Sequence, residues 1–254
     1  MQRYPTDARC GTGMPSIPDL PTLTRSPRTT PTWFAALILV LFGLLVSSCA
    51  GSRYHATRPP RTHHGYAGSG YVKDNKPAIW NSNNPRIAQF REHYRRTKTV
   101  EAALDAGQRY LPTIVPEFEK RGLPPELAYL PMLESMFENR ADSGHARGLW
   151  QFTRQTAEHM GLRVSGTVDE RLNWRKSSAA AADYLAALGE RFNYDWALAL
   201  AAYNGGPGYI EDEMRRQRRH DFFSLQLRKE TAEYVPRFVA MLQVAKEKQL
   251  VALR

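Results

Sequence analysis

The sequence predicts a mainly α-helical protein with a single compact domain in its second part. Three observations carry this expectation. From Pro85 onward apolar residues recur at three- and four-residue spacing. No run of alternating residues after that point is long enough for a proper strand. Gly and Asn collect between the helical runs, where turns belong. A chain of 254 residues with 42% apolar residues can bury one core of ordinary size.

The helical runs follow one another as short blocks. Ile87, Phe90 and Tyr94 share one helix face, and Leu104, Tyr110, Leu111, Ile114 and Phe118 continue the pattern. The stretch PPELAYLPMLESMF opens on Pro124 and Pro125, and a proline without its N–H costs little in a first helical turn. The spacing predicts a helix that continues past Pro131, bent there one turn before Glu134. Further helices are expected over Thr153–Met160, Arg175–Phe192, Trp196–Tyr203, Tyr209–Arg218 and Lys229–Lys248. No internal repeat is visible.

Lys and Arg number 35 against 25 for Asp and Glu, a net charge of +10. That excess suits polyanions: nucleic acid, anionic lipid head groups or an acidic wall polymer. The basic residues are spread without a recognisable reading module, which argues against nucleic acid.

The first part of the chain reads as an address. Trp33–Val46 is a run of fourteen uncharged residues, preceded by Arg25 and Arg28 and followed by Ser47 and Ser48. It is short of the ~20 apolar residues that a spanning helix needs. It closes on Val46-Ser47-Ser48-Cys49, which resembles a bacterial lipobox, whose cysteine is lipidated and begins the mature chain. Residues 1–48 are then a lipoprotein signal peptide that takes Cys10 with it, and Met14 is an alternative start. Ala50, rather than an aspartate, after the cysteine points to the periplasmic side of the outer membrane. The alternative is an uncleaved N-terminal helix in the inner membrane. Residues 49–84, rich in Gly, Pro, Asn, His and Arg, read as a basic flexible tether. Neither cysteine lies in a CxxC pattern, and His63-His64 has no further ligands beside it, so no metal and no cofactor is expected.

Glu134 is set apart by its neighbours Leu130, Met132, Leu133, Met136 and Phe137. A carboxyl group in apolar surroundings resists ionisation, which is the condition for a general acid near neutral pH. A structural glutamate, paired with an arginine or capping a backbone, fits Glu134 alone better. The surrounding motifs reverse that balance. LPMLESMF, SGHARGLWQFTRQTA, LAAYNGGPG and ETAEYVPRFVA resemble, in order and spacing, four motifs of the lytic transglycosylases with the goose-lysozyme-like fold. The resemblance spans about residues 85–248 and is nearest to the D-type membrane-bound branch. Trp150 and Arg154 depart from the commoner methionine and proline, and no LysM repeat accompanies the domain.

The resemblance implies a lysozyme-like, SLT-type helical domain over residues 85–254, acting on peptidoglycan glycan strands. Glu134 would be the catalytic acid and base. Ser143, Gln151, Tyr203, Asn204, Glu230 and Tyr234 would contact or orient the sugar. For Ser143, Asn204 and Tyr234 a cap, turn or core role competes, and Gly205, Gly206 and Gly208 serve the turn. Asp169 and Glu170 are weaker candidates for a second carboxylate. The products would end in 1,6-anhydromuramic acid. The alternatives are a hydrolytic muramidase of the same fold and an inactive peptidoglycan-binding lipoprotein. Partners implied are the glycan strands and, through Cys49, a membrane.

Overall fold

The computed structural model describes residues 77–251; the apolar run, Cys10, Cys49 and His63-His64 lie outside them. Among the described residues the chain is mainly helical, as expected. Nine α-helices are present: α1 Pro85–Arg96, α2 Thr99–Gly107, α3 Leu111–Lys120, α4 Pro131–Glu134, α5 Arg154–His159, α6 Trp174–Arg191, α7 Trp196–Gly205, α8 Pro207–Gln217 and α9 Lys229–Glu247. The only regular strands among these residues are β1 Ala146–Arg147 and β2 Phe152–Thr153, an antiparallel pair in register Ala146↔Thr153 and Arg147↔Phe152.

Helix α9 is the axis of the core. Val235, Phe238, Val239, Ala240, Met241, Leu242, Val244 and Ala245 are all buried, so it is apolar nearly all round and must be enclosed. It packs mainly on α1 and α7, with further contacts to α2 and α4. Helix α7 is buried from Trp196 through Ala202, and its alanines let α6 and α9 approach closely. Asp195 starts α7 by accepting hydrogen bonds from the Ala197 and Leu198 N–H groups at 3.0 and 3.1 Å. Phe118 stacks on Trp150 with centroids 5.5 Å apart, joining α3 to the loop before β2.

The five helices expected after residue 150 begin and end within two residues of the observed bounds. The helix expected over PPELAYLPMLESMF is corrected. A 3-10 turn, Pro125–Tyr129, gives way at Leu130 to the single turn of α4. Pro131 has no N–H to continue the ladder, so the bend becomes a break. The residues Leu104 to Phe118 also divide into two helices, around Gln108–Tyr110.

Residues 77–84, read as the end of the tether, are docked on the helical body. Ala78–Asn81 form a 3-10 turn whose Trp80 is 1% exposed and meets Phe238 edge-on at 6.0 Å. Gln243 clamps the turn from α9, its Nε2 donating to the Trp80 and Ser82 carbonyls at 3.1 and 3.0 Å. Sequence periodicity cannot register one anchor residue in an irregular stretch. The Trp80 Nε1–H is buried without an acceptor. Trp80→Ala is expected to cost about 3–5 kcal/mol in denaturant unfolding, the scale of a large aromatic lost from a core. Trp80→Phe keeps the apolar contact and removes the orphaned donor, so it should cost under about 1.5 kcal/mol. Equal losses for the two variants would show that the ring's contact is not what matters.

Candidate active site

The one-turn helix α4 ends on Glu134, where the chain turns sharply. Its N–H still bonds to the Leu130 carbonyl at 3.2 Å, but Met136 and Phe137 take left-handed φ values of 53° and 57°. Such values are costly for bulky residues and persist only where packing fixes them. Phe137 is wholly buried against Gly107, where any Cβ would lie 2.9 Å from its ring. The buried Ser135 hydroxyl donates to the Leu149 carbonyl at 2.9 Å and ties α4 to the Gly148–Phe152 loop. Glu134 is thus held at the end of a rigid, strained corner rather than midway along a helix.

The carboxyl of Glu134 is half-buried and accepts a hydrogen bond on Oε1 from the Tyr234 hydroxyl of α9. Burial raises its pKa from the ordinary carboxylate range to about 8. The Tyr234 bond opposes the rise, and the negative charge of Glu230 adds to it. The same surroundings push the Tyr234 and Tyr203 hydroxyls well above their usual value, first through burial and then through the charge of Glu134. Both phenols therefore stay neutral donors. Tyr203 donates to the Trp150 carbonyl at 2.8 Å, and its ring lies 6.2 Å from that of Phe152 and 5.6 Å from that of Tyr184.

At the C-terminal end of α7, Asn204 joins two elements. Its Oδ1 accepts from the buried Thr231 hydroxyl at 2.9 Å, and its Nδ2 donates to Glu230 Oε1 at 3.2 Å. Gly206 closes the turn with φ +91°, a backbone conformation that favours glycine. Gln151, at φ 46°, folds its side chain back so that Nε2 donates to the Gly148 and Ala141 carbonyls at 2.9 and 3.3 Å. Glu134, Tyr203, Asn204, Glu230 and Tyr234 form one connected neighbourhood, with Gln151 in the adjoining loop.

Ser143 makes its hydrogen bonds within its own turn. Its hydroxyl donates to the Ala146 carbonyl at 3.2 Å and accepts from the Ala146 N–H at 3.1 Å, closing the turn that leads into β1. Asp169 and Glu170 are occupied elsewhere. Asp169 takes a bidentate bond from Arg171, which holds its carboxylate low. Lys176 and Arg163 hold Glu170 down at about 2. Arg171, buried and donating through Nη1 to the Phe152 carbonyl at 3.2 Å, braces the site loop. The sequence assigns no role to Arg171, Ser135 or Thr231. The sequence carries no signal for Arg171 beyond a charged residue in a loop; Ser135 and Thr231 each adjoin a glutamate within a motif.

Residues 112–225 match the family described as Transglycosylase SLT domain, a span that includes Glu134, Ser143, Gln151, Tyr203 and Asn204 but not Glu230 or Tyr234. The helical body of this chain therefore carries a transglycosylase SLT domain. Over 178 residues it is 34% identical to membrane-bound lytic murein transglycosylase D of Escherichia coli (strain K12), covering 67% of this chain and 39% of that protein. It is 43% identical over 102 residues to a putative tributyltin chloride resistance protein of Alteromonas sp. (strain M-1), covering 40% of this chain and 49% of the relative. A third relative, membrane-bound lytic murein transglycosylase F of Thiobacillus denitrificans (strain ATCC 25259 / T1), shares 38% identity over 97 residues, 35% of this chain and 19% of its own length. The chain thus spans well under two thirds of each of these relatives.

Proposed function

We propose that this chain is a peptidoglycan lytic transglycosylase that cleaves the β-1,4 bond from N-acetylmuramic acid to N-acetylglucosamine without water. The observation that carries the reading is Glu134: a carboxyl raised to about 8, with one oxygen engaged by a phenol. Tyr234 bonds Oε1, which leaves Oε2 to carry the acidic proton. In the first half-reaction that proton passes to the bridging oxygen as the C1–O bond breaks, with the substrate's own 2-acetamido group stabilising C1. Glu134 is then a carboxylate, and the Tyr234 bond supports its charge. It takes the proton of the muramic C6 hydroxyl while O6 bonds to C1, giving a 1,6-anhydro end. Glu134 ends as it began, and no water enters.

A tethered C6 hydroxyl has a large effective-concentration advantage over water once the sugar is held in a suitable pucker. Gln151, Tyr203, Asn204 and Glu230 are the residues assigned to that holding. A muramidase could use the same Glu134, and the two outcomes differ in product. Digestion of glycan strands in heavy-oxygen water should give muramic termini without label and lighter than hydrolysis products by one water. Label at those termini would sink this reading.

The same proposal includes lipidation at Cys49 and a place on the periplasmic side of the outer membrane. Its support is the lipobox-like Val46-Ser47-Ser48-Cys49 and the membrane-bound designation of two relatives. Among the described residues no helix is long and apolar enough to cross a membrane. Radiolabelled palmitate should enter the wild-type chain and not a Cys49→Ser variant. Equal labelling of both would refute the anchor.

A further inference from the structure

Arg228 immediately precedes α9, beside the Asn204–Glu230 pair. Its guanidinium carbon lies 4.1 Å from the centre of the Tyr209 ring, and its Nη2 donates to the Gly205 carbonyl at 3.2 Å. Its own backbone N–H donates to the Tyr209 hydroxyl at 2.8 Å, so Tyr209 grips residue 228 at both ends. This arginine is exposed yet fixed in place, and among the described residues no carboxylate forms an ion pair with it. Glu213 feels its charge but is already bound by Arg216 and Gln217. Lys229, also exposed, and the positive end of the nineteen-residue helix α9 add to the same field.

A stacked guanidinium has its face covered and its N–H edge open, the geometry that takes a carboxylate in paired hydrogen bonds. Because the side chain is ordered beforehand, little rotamer freedom is lost on binding. In the substrate proposed above, the sugars are neutral and the negative charge lies on the lactyl side of muramic acid. It comes from carboxylates of the peptide stem or, where the stem is absent, from the lactyl group itself.

Resting on that reading of the substrate, we infer that Arg228 is a carboxylate-binding subsite that makes the site prefer acid-bearing strands over neutral ones. The test is equilibrium binding by the full chain carrying Glu134→Gln, so that it can be read whether or not the wild type cleaves. The probes are peptide-bearing glycan strands, amidase-stripped strands and a neutral chito-oligosaccharide. Adding Arg228→Gln, which removes the charge, should weaken binding of peptide-bearing strands about tenfold at low salt. Arg228→Lys, which keeps the charge but neither the stacked plane nor the paired donors, should restore only part of the loss, and the chito-oligosaccharide should bind all variants alike. A loss that persists on stripped strands assigns the lactyl carboxylate, and one that vanishes assigns the stem. Undiminished binding of peptide-bearing strands, or an equal loss on the neutral probe, would overturn the inference. Failure of the wild type to cleave any strand would instead count against the proposed activity alone.

Discussion

Glu134→Gln is expected to lower strand cleavage by at least ~10²-fold, the scale of a lost general acid, while wall binding stays close to wild type. The amide keeps the shape of the carboxyl and can still accept the Tyr234 hydroxyl, so the site retains its form. The same variant should be more stable than the wild type, increasingly so as pH rises. Folding raises the pKa of Glu134 from 4.5 to about 8, so the native state binds this proton more tightly than the unfolded chain. Below the unfolded value both states are protonated and the glutamate costs nothing. As pH rises through the interval the penalty grows, and it is complete above the folded value. With a discount for partial exposure of the side chain, the gap at pH 8 should be about 2–4 kcal/mol. Paired denaturant unfolding of variant and wild type at pH 4.5, 6.5 and 8.5 cancels the titration of every other group. A gap that is constant across the series would show that Glu134 is not the buried acid. The same pKa sets the upper limit of activity, which should fall above about pH 8 as the donor loses its proton.

Gly148→Ala should be the most damaging small substitution in the site loop. Gly148 has φ +81°, and a Cβ there would lie 2.2 Å from the Arg171 carbonyl oxygen and 3.0 Å from its carbonyl carbon. Both are backbone atoms, and Arg171 cannot retreat cheaply: Asp169 holds its guanidinium and it bonds the Phe152 carbonyl. Backbone strain plus the displacement of this brace should cost about 3 kcal/mol or more. Gly161 is the control, with φ +82° but nothing within 4 Å of its Cβ position. Gly161→Ala bears only the conformational cost, about 1 kcal/mol. Cleavage by the folded fraction of Gly148→Ala should fall more than about tenfold, because the loop that moves carries Gln151 and the carbonyl held by Tyr203. Similar unfolding midpoints for the two alanine variants would remove the argument.

Much of this was legible in the residues. Apolar spacing located the long helices because each presents a continuous buried stripe, and α6, α7 and α9 are long enough for the period to show. The motif around Glu134 marks it as the candidate acid, and the burial that raises its pKa to about 8 supports that assignment. Where the local sequence is ambiguous, the partner residues brought up by the fold decide the outcome. A proline between two apolar turns looks the same whether it bends a helix or ends one. At Leu130–Pro131 the outcome depends on the packing of Phe137 against Gly107 and on the Ser135 bond to Leu149.

The sequence by itself determined the helical class, the order of the elements and the candidate carboxyl group. Only the tertiary structure decided how that group behaves. Desolvation of Glu134 sums over every atom around it, and the Tyr234 hydroxyl that meets it comes from 100 residues further along the chain. Glu230, which adds negative charge, arrives on the same distant helix. The fate of Asp169 and Glu170 was likewise settled in three dimensions, by Arg147, Arg163, Arg171 and Lys176 closing on them. Periodicity reports which side of a segment faces inward, whereas charge, solvation and hydrogen bonding depend on what stands opposite. That partner is chosen by the fold.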